Sequence, residues 1–174
     1  MIKTERLKLL PCELAHFEAL LDDPPRIAEM LGVSVAEGWA AFPESIPYSH
    51  KYLLAHPDAL PWWMYLFIHG NDRALAGYGG FKGRADADGM VEIGYSIAPA
   101  YRHQGLATEA AQALIDFAFS HPHVKAVDAH TLAEENHSTK VLRKVGMSYV
   151  EQLHDPKDGD IWHWRLKRED HGKP

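Results

Sequence analysis

Cysteine is nearly absent: Cys12 stands alone among 174 residues, which excludes an internal disulfide and any metal site built on several thiolates. A single thiol suits a reducing compartment. Long apolar runs are missing as well. No stretch approaches the roughly 20 apolar residues of a membrane-spanning helix, and Met1-Ile2-Lys3-Thr4-Glu5-Arg6 carries charge too early for a secretory leader, so the cytoplasm is the expected location. Positive charge is scarce, with 18 Lys and Arg against 24 Asp and Glu and a formal net charge of -6. That balance disfavours an electrostatic grip on nucleic acid and mildly favours a cationic or amine-bearing partner. Two phosphate-binding signatures are also missing. No Gly-Lys-Ser/Thr of a P-loop occurs, and in Gly77-Tyr78-Gly79-Gly80-Phe81-Lys82-Gly83 a lysine stands where a Gly-x-Gly-x-x-Gly turn needs its third glycine. The expectation for that run is a bulged strand.

What is present is ordinary for a globular chain: 46% hydrophobic and 24% charged residues. A chain of 174 residues fits one domain, residues 1–174, able to bury roughly two-thirds of its unfolded surface. Periodicity predicts a strand over 2–10 and helices over 13–21 and 26–31, separated by Pro24 and Pro25. Residues 34–56 hold Trp39, Phe42, Tyr48 and Tyr52 between prolines and are expected to be helical in places at best, a segment suited to wrapping a pocket. Strands follow over 62–69 and 74–82, and Asp88-Gly89 turns the chain into a third over 90–97. After a long helix come a strand over 124–132, a short helix over 138–145 closed by Gly146, and strands over 148–153 and 161–166. The order is that of an α/β (α+β) fold, a mixed sheet flanked by helices.

The most informative stretch is Ala98-Pro99-Ala100-Tyr101-Arg102-His103-Gln104-Gly105-Leu106-Ala107-Thr108-Glu109-Ala110. Upstream, Val91, Ile93, Tyr95 and Ile97 alternate with Glu92, Gly94 and Ser96, the two-residue period of a strand. Downstream, Leu106, Ala110, Ala113, Leu114, Phe117 and Ala118 recur at helical spacing. A helix opening near Gln104 leaves its first amides without intrahelical partners, where aligned peptide dipoles place roughly half a positive charge. Gly105 lets the backbone approach a bulky ligand, Ala107 adds almost no side chain, and Arg102 offers a forked cation. The amides from His103 to Thr108 are thereby suited to a pyrophosphate.

The turn, Arg-x-x-Gly-x-Ala between a strand and a helix, resembles the acyl-CoA signature of the GNAT N-acetyltransferase superfamily. Thr4-Glu5-Arg6-Leu7-Lys8-Leu9, the Gly80-Phe81 strand, Val91-Glu92-Ile93-Gly94-Tyr95 and Ser138-x-x-Val141-Leu142-x-Lys144-x-Gly146-Met147 look like its Rim-type (RimJ/RimL-like) branch. These matches run in order along nearly the whole chain. The resemblance implies a mostly antiparallel sheet of about seven strands, splayed between the strand over 91–97 and that over 124–132, where pantetheine lies like an extra strand. It implies acetyl-CoA as cosubstrate, held by Ile97, Arg102, His103, Gln104, Gly105, Leu106, Ala107, Thr108 and Asn136. It also implies an acceptor amine, a small molecule or a protein amino terminus, attacking directly in a ternary complex.

That chemistry needs a neutral amine, and a lysine-like ammonium with a pKa near 10.4 is neutral in roughly one molecule per thousand at pH 7. The resemblance places Glu92 beside the acceptor as candidate base, a role that partial burial would favour by raising basicity; the alternative is a simple pairing with a cation on a neighbouring strand. His130 is a second candidate, since imidazole titrates near neutrality. Leu142 occupies the position where many family members carry a tyrosine donor; the resemblance instead aligns Ser138 with the serine of the Rim-type Asn-x-x-Ser-x-x-Val pattern, which contacts the cofactor sulfur region, and so makes it the candidate donor to the departing thiolate, its alternative role being to cap the helix. The family's asparagine position holds Glu135, with Asn136 one residue later, and Lys144 could approach the 3′-phosphate. These departures leave open a noncatalytic acyl-CoA sensor. Metal binding is not expected, because among the histidines only His121 and His123 lie close in sequence. Asp86-x-Asp88-Gly89 lacks the rest of a calcium loop and suits a turn. Oligomeric state is not legible, and a homodimer stays open.

Overall fold

A computed structural model describes residues 1–22 and 24–173; Asp23 and Pro174 lie outside it. The chain runs β1 (Ile2–Lys3), β2 (Leu7–Pro11), α1 (Leu14–Asp22), α2 (Pro24–Leu31), β3 (Ser34–Val35), α3 (Ser45–Ala55), β4 (Met64–His69), β5 (Ala74–Phe81) and β6 (Met90–Ile97). It continues through α4 (Leu106–Phe119), β7 (Ala126–Leu132), α5 (His137–Lys144), β8 (Ser148–Asp155) and β9 (Gly159–Lys167). Single 3-10 turns sit at Pro57–Ala59, Pro99–Tyr101 and Arg168–Asp170.

Among the described residues the sheet has nine strands in the order β1-β2-β4-β5-β6-β7-β9-β8, with β3 pairing β5 off that path. Nine replaces the expected seven for two local reasons. The strand predicted over 2–10 breaks at Thr4-Glu5-Arg6, and its halves fold back as an antiparallel pair with Ile2 opposite Leu9. Ser34–Val35 adds two residues beside Ala74 and Leu75, too few to leave a period in the sequence.

Helices cover the two faces unequally. On one face α4 and α5 bury Leu106, Leu114 and Leu142 against Tyr65, Phe67, Val91, Ile93, Val127 and Trp164. On the other, α1 to α3 bury Phe17, Ile27 and Leu53 against Leu66, Leu75 and Tyr78. The second set reaches only as far as β5, so among the described residues the same face of β6, β7 and β9 has no covering helix.

The proline-punctuated segment is more regular than expected, because Pro47 sits within the first turn of the 11-residue α3, where its missing N–H has no intrahelical partner to lose. The glycine run forms β5, as a bulged strand: the pairing with β4 slips one residue between Phe67 and Ile68. Gly79 there is an obligatory close approach, since a Cβ would fall 2.4 Å from the Gly94 carbonyl oxygen and 2.7 Å from the Phe67 ring. Asp86 builds the hairpin turn, its Oδ1 accepting from the amides of Asp88 and Met90, each at 2.9 Å.

Candidate functional site

The loop between β6 and α4 presents a row of free backbone donors. Gly105 caps α4 with φ +81° and ψ 0°, His103 is left-handed as well at φ 60°, and this pair of left-handed residues turns successive N–H groups toward one side. None of the amides from His103 to Thr108 finds an acceptor among the described residues; the first to do so is Glu109, bonded to the Gly105 carbonyl at 3.0 Å. The helix thus starts at Leu106 rather than near Gln104. Arg102 donates through Nε to the Ile97 carbonyl at 3.0 Å, and its terminal nitrogens are free of protein partners among the described residues.

A brace from the amino terminus fixes this turn. Arg6 donates to the Gln104 carbonyl through Nη1 and to Glu109 Oε2 through Nε, both at 2.7 Å. The same carboxylate accepts from the Arg6 amide at 2.7 Å and the Thr4 hydroxyl at 2.5 Å. Burial pushes the Glu109 carboxyl up, but these donors outweigh it and hold the group below the ordinary carboxylate range. The sequence contained this brace in Thr4-Glu5-Arg6 and Glu109 but gave no sign of it, because the partners are about a hundred residues apart.

Beside the loop the sheet opens. β6 and β7 pair in parallel only at Met90–Ala126, Val91–Val127 and Glu92–Asp128. Past that point β6 pairs β5 alone and β7 pairs β9 alone, so Ile93 to Ile97 and Ala129 to Leu132 present backbone edges to one another across a wedge. The splay expected between these strands is therefore present. The Tyr95 hydroxyl, on the length of β6 that pairs β5 alone, is buried without a partner among the described residues, and burial pushes its ionisation well above the ordinary phenol.

The starts of α4 and α5 meet at the mouth of the wedge, where the His103 and His137 rings touch edge to face with centroids 4.8 Å apart. Asn136 caps α5: its Oδ1 accepts from the Thr139 amide at 3.1 Å while the Thr139 hydroxyl oxygen accepts from the Asn136 amide at 3.1 Å. The cap is therefore Asn136 and not Ser138, whose hydroxyl has no protein partner among the described residues. Glu135, one residue before, is held by Arg143 at 2.7 and 2.5 Å. Leu142 is fully enclosed in the core at 1% exposure and offers no donor. Lys144 is exposed and free of partners among the described residues.

On the uncovered face, strand alternation and register bring Glu92, Gly94 and Ser96 of β6 together with Asp128 and His130 of β7 and His163 and Arg165 of β9. Glu92 Oε1 contacts Lys82 Nζ and lies 3.0 Å from His130 Nδ1. Burial pushes the Glu92 carboxyl up, yet His130 and Lys82 more than offset it and hold it below the usual range. The expected gain in basicity is thus reversed, since the cation on the neighbouring strand edge and the imidazole both favour the charged form. Asp128 accepts from Arg165 Nε and Nη2, each at 2.7 Å, and its Oδ2 lies 3.1 Å from His163 Nε2. Above this floor a Cβ added at Gly94 would meet nothing within 4 Å, which marks open space beside Glu92. The loop before α3, anchored by bonds from Phe42 N and Ser45 Oγ to the Tyr78 hydroxyl, reaches toward the β8–β9 turn through Glu44 and Lys157, 3.7 Å apart. Lys82, His163 and the room at Gly94 escaped sequence reasoning; alternation about Glu92 would have flagged Gly94, but the cross-strand partners required the register. Among the described residues no group of three or more His, Cys, Asp or Glu side chains is placed to hold a metal, and no helix is long and apolar enough to cross a membrane.

Residues 6–148 match the model of the acetyltransferase (GNAT) domain family. An uncharacterized N-acetyltransferase of Bacillus subtilis (strain 168), YjdG, is 26% identical over 166 residues, which cover 94% of this chain and 96% of that protein. Among solved structures, the ribosomal-protein-S5-alanine acetyltransferase of Vibrio fischeri superposes with a TM-score of 0.70 at 16% identity, covering 99% of this chain and 98% of that one. RimL, a ribosomal L7/L12 alpha-N-protein acetyltransferase solved with coenzyme A, superposes with a TM-score of 0.69 at 15% identity, covering 94% and 95%. At these identities the two structures speak for the fold.

Proposed function

The chain belongs to the GNAT acetyltransferase family, an acetyl-CoA-dependent group of acyltransferases, and from that premise we propose that it moves an acetyl group onto a primary amine by direct attack with both substrates bound. The observation that carries this reading is the row of unpartnered amides from His103 to Thr108 at the start of α4. Donors fixed in this way pay no reorganisation cost when a diphosphate arrives. Arg102 adds charge, and the wedge between Ile93 to Ile97 and Ala129 to Leu132 offers backbone edges to the amide groups of pantetheine. Acetyl-CoA supplies the activated acyl carbon.

Ser138 is proposed as the hydrogen-bond donor at the leaving sulfur, on the strength of its free hydroxyl in the first turn of α5. Asn136 spends Oδ1 on its cap but keeps Nδ2 for a pantetheine carbonyl. The acceptor amine enters over Gly94, where Glu92 favours a cation. Protein amino termini are the proposed acceptor class, in keeping with the named activities of the Rim-type neighbours; small amines are the second class to test.

Acetyl-CoA is expected to raise the thermal midpoint of the purified protein, by about 2.7 kcal/mol of linkage at 100 times its dissociation constant. Thiol release from acetyl-CoA across a panel of peptides with free amino termini and small primary amines then reads turnover. Absence of a midpoint shift at millimolar acetyl-CoA, or binding with no turnover of any amine, contradicts the reading.

A further inference from the structure

We propose that Nε2 of His130 is the atom that takes the acceptor's proton, with Glu92 as the positioning residue behind it. The inference rests on the acetyl transfer proposed above and goes beyond it by assigning the base.

Glu92 itself is poorly placed to be that base. Its Oε1 already contacts Lys82 Nζ and His130 Nδ1, and the pair holds the carboxylate in its charged, weakly basic form. What Glu92 does is fix the imidazole. The negative charge of a carboxylate 3.0 Å from Nδ1 favours the tautomer that carries its hydrogen on that side, which leaves the lone pair on Nε2. Nε2 has no protein partner among the described residues, and the side chain is 24% exposed on the uncovered face of β7.

The surrounding charges are otherwise engaged. Asp128 on the same strand is occupied by Arg165 and approached by His163 from β9. His163 stacks on His130 with centroids 4.9 Å apart and an interplanar angle of 19°, which holds the ring flat beside its register partner. Glu151 of β8 lies 3.8 Å from His163 Nδ1. Among the described residues Glu92 is the one carboxylate of this floor within contact of His130, so an acid, an imidazole and an open nitrogen share the uncovered face that also carries Gly94.

The proton balance is simple. Nε2 accepts one proton from the acceptor ammonium, and the freed nitrogen lone pair forms the new C–N bond. The C–S bond breaks with its electron pair on sulfur, the second nitrogen proton passes to that sulfur, and the imidazolium returns its proton to solvent.

The rate against pH distinguishes this from a structural histidine. With the best acceptor of the panel, wild-type kcat/KM is expected to rise through the imidazole range and then level off, because base and ammonium compensate each other up to the acceptor's own pKa. In His130→Gln the rate at pH 7 should fall about 100-fold and climb continuously, about tenfold per pH unit, as the unaided amine deprotonates. In Glu92→Gln the plateau should persist at a lower rate, because the base remains but its tautomer is no longer held. The acetyl-CoA midpoint shift should persist in both variants, which separates failure of this assignment from failure of cofactor binding. A plateau retained in His130→Gln overturns the proposal. Long-range proton–nitrogen NMR of the wild-type imidazoles needs no acceptor: a hydrogen on Nδ1 of His130 in its neutral form is expected, and one on Nε2 overturns the assignment even if no amine is turned over.

Discussion

Gly105→Val abolishes stabilisation by acetyl-CoA and weakens its binding at least about 100-fold, while the free protein still folds. The reason is local. Gly105 has φ +81°, a left-handed conformation that costs a β-branched residue on the order of 1–3 kcal/mol. Its Cβ would also fall 3.4 Å from Arg6 Nη2, the guanidinium that holds the Gln104 carbonyl at 2.7 Å. The cheapest relief is to rotate the turn out of its left-handed pair, and that scatters the amides from His103 to Thr108. Because the loop is exposed and lies outside the core, the loss falls on ligand binding more than on stability. Isothermal titration with acetyl-CoA on wild type and variant measures it; an unchanged affinity would put the diphosphate elsewhere.

Gly94→Phe removes acceptor turnover without removing acetyl-CoA. Here the backbone is ordinary, since Gly94 is not among the glycines with positive φ, and a Cβ meets nothing within 4 Å. The new ring must therefore occupy the open space beside Glu92 and His130, on the face opposite α4. Turnover is expected to fall about 100-fold, with the loss weighted toward acceptor KM, since blocking entry costs binding before chemistry. The acetyl-CoA midpoint shift should stay near that of wild type. Turnover that survives in a folded Gly94→Phe protein would show that the acceptor does not cross β6 at that point. Its cross-strand partner Gly80 allows no such experiment, because a Cβ there would run into the Trp63 carbonyl oxygen.

Sequence reasoning reached the strand, turn and helix around Arg102 to Thr108 because each feature there is local: alternation before, a glycine at the turn, helical spacing after. β3 escaped it because two residues carry no period, and β1 merged with β2 into one expected strand because nothing in the alternation marks the break at Thr4-Glu5-Arg6. α3 was blurred by Pro47, whose position in the first turn, not its presence, decides whether a helix survives. The splay of β6 from β7 followed from the family resemblance alone; nothing in Val91 to Ile97 records where pairing ends. Around Glu92 the chain supplied the residue types but hid the partners, for Lys82 and His130 reach it from two other segments and His163 stacks behind His130 from a third. That is why burial was expected to raise the Glu92 carboxyl, when the cations beside it lower it. The Arg6 to Glu109 brace was hidden for the same reason, as a contact across about a hundred residues made only once β2 lies beside α4.

The central claim is that the free amides opening α4 hold the cosubstrate's diphosphate, and a crystal structure of the protein with coenzyme A tests it most directly. The diphosphate oxygens are expected within hydrogen-bonding distance of backbone nitrogens between His103 and Thr108, with the pantetheine arm running into the wedge between β6 and β7. A bound coenzyme A whose diphosphate lies away from those nitrogens, in a crystal where the loop is free of lattice contacts, would contradict it.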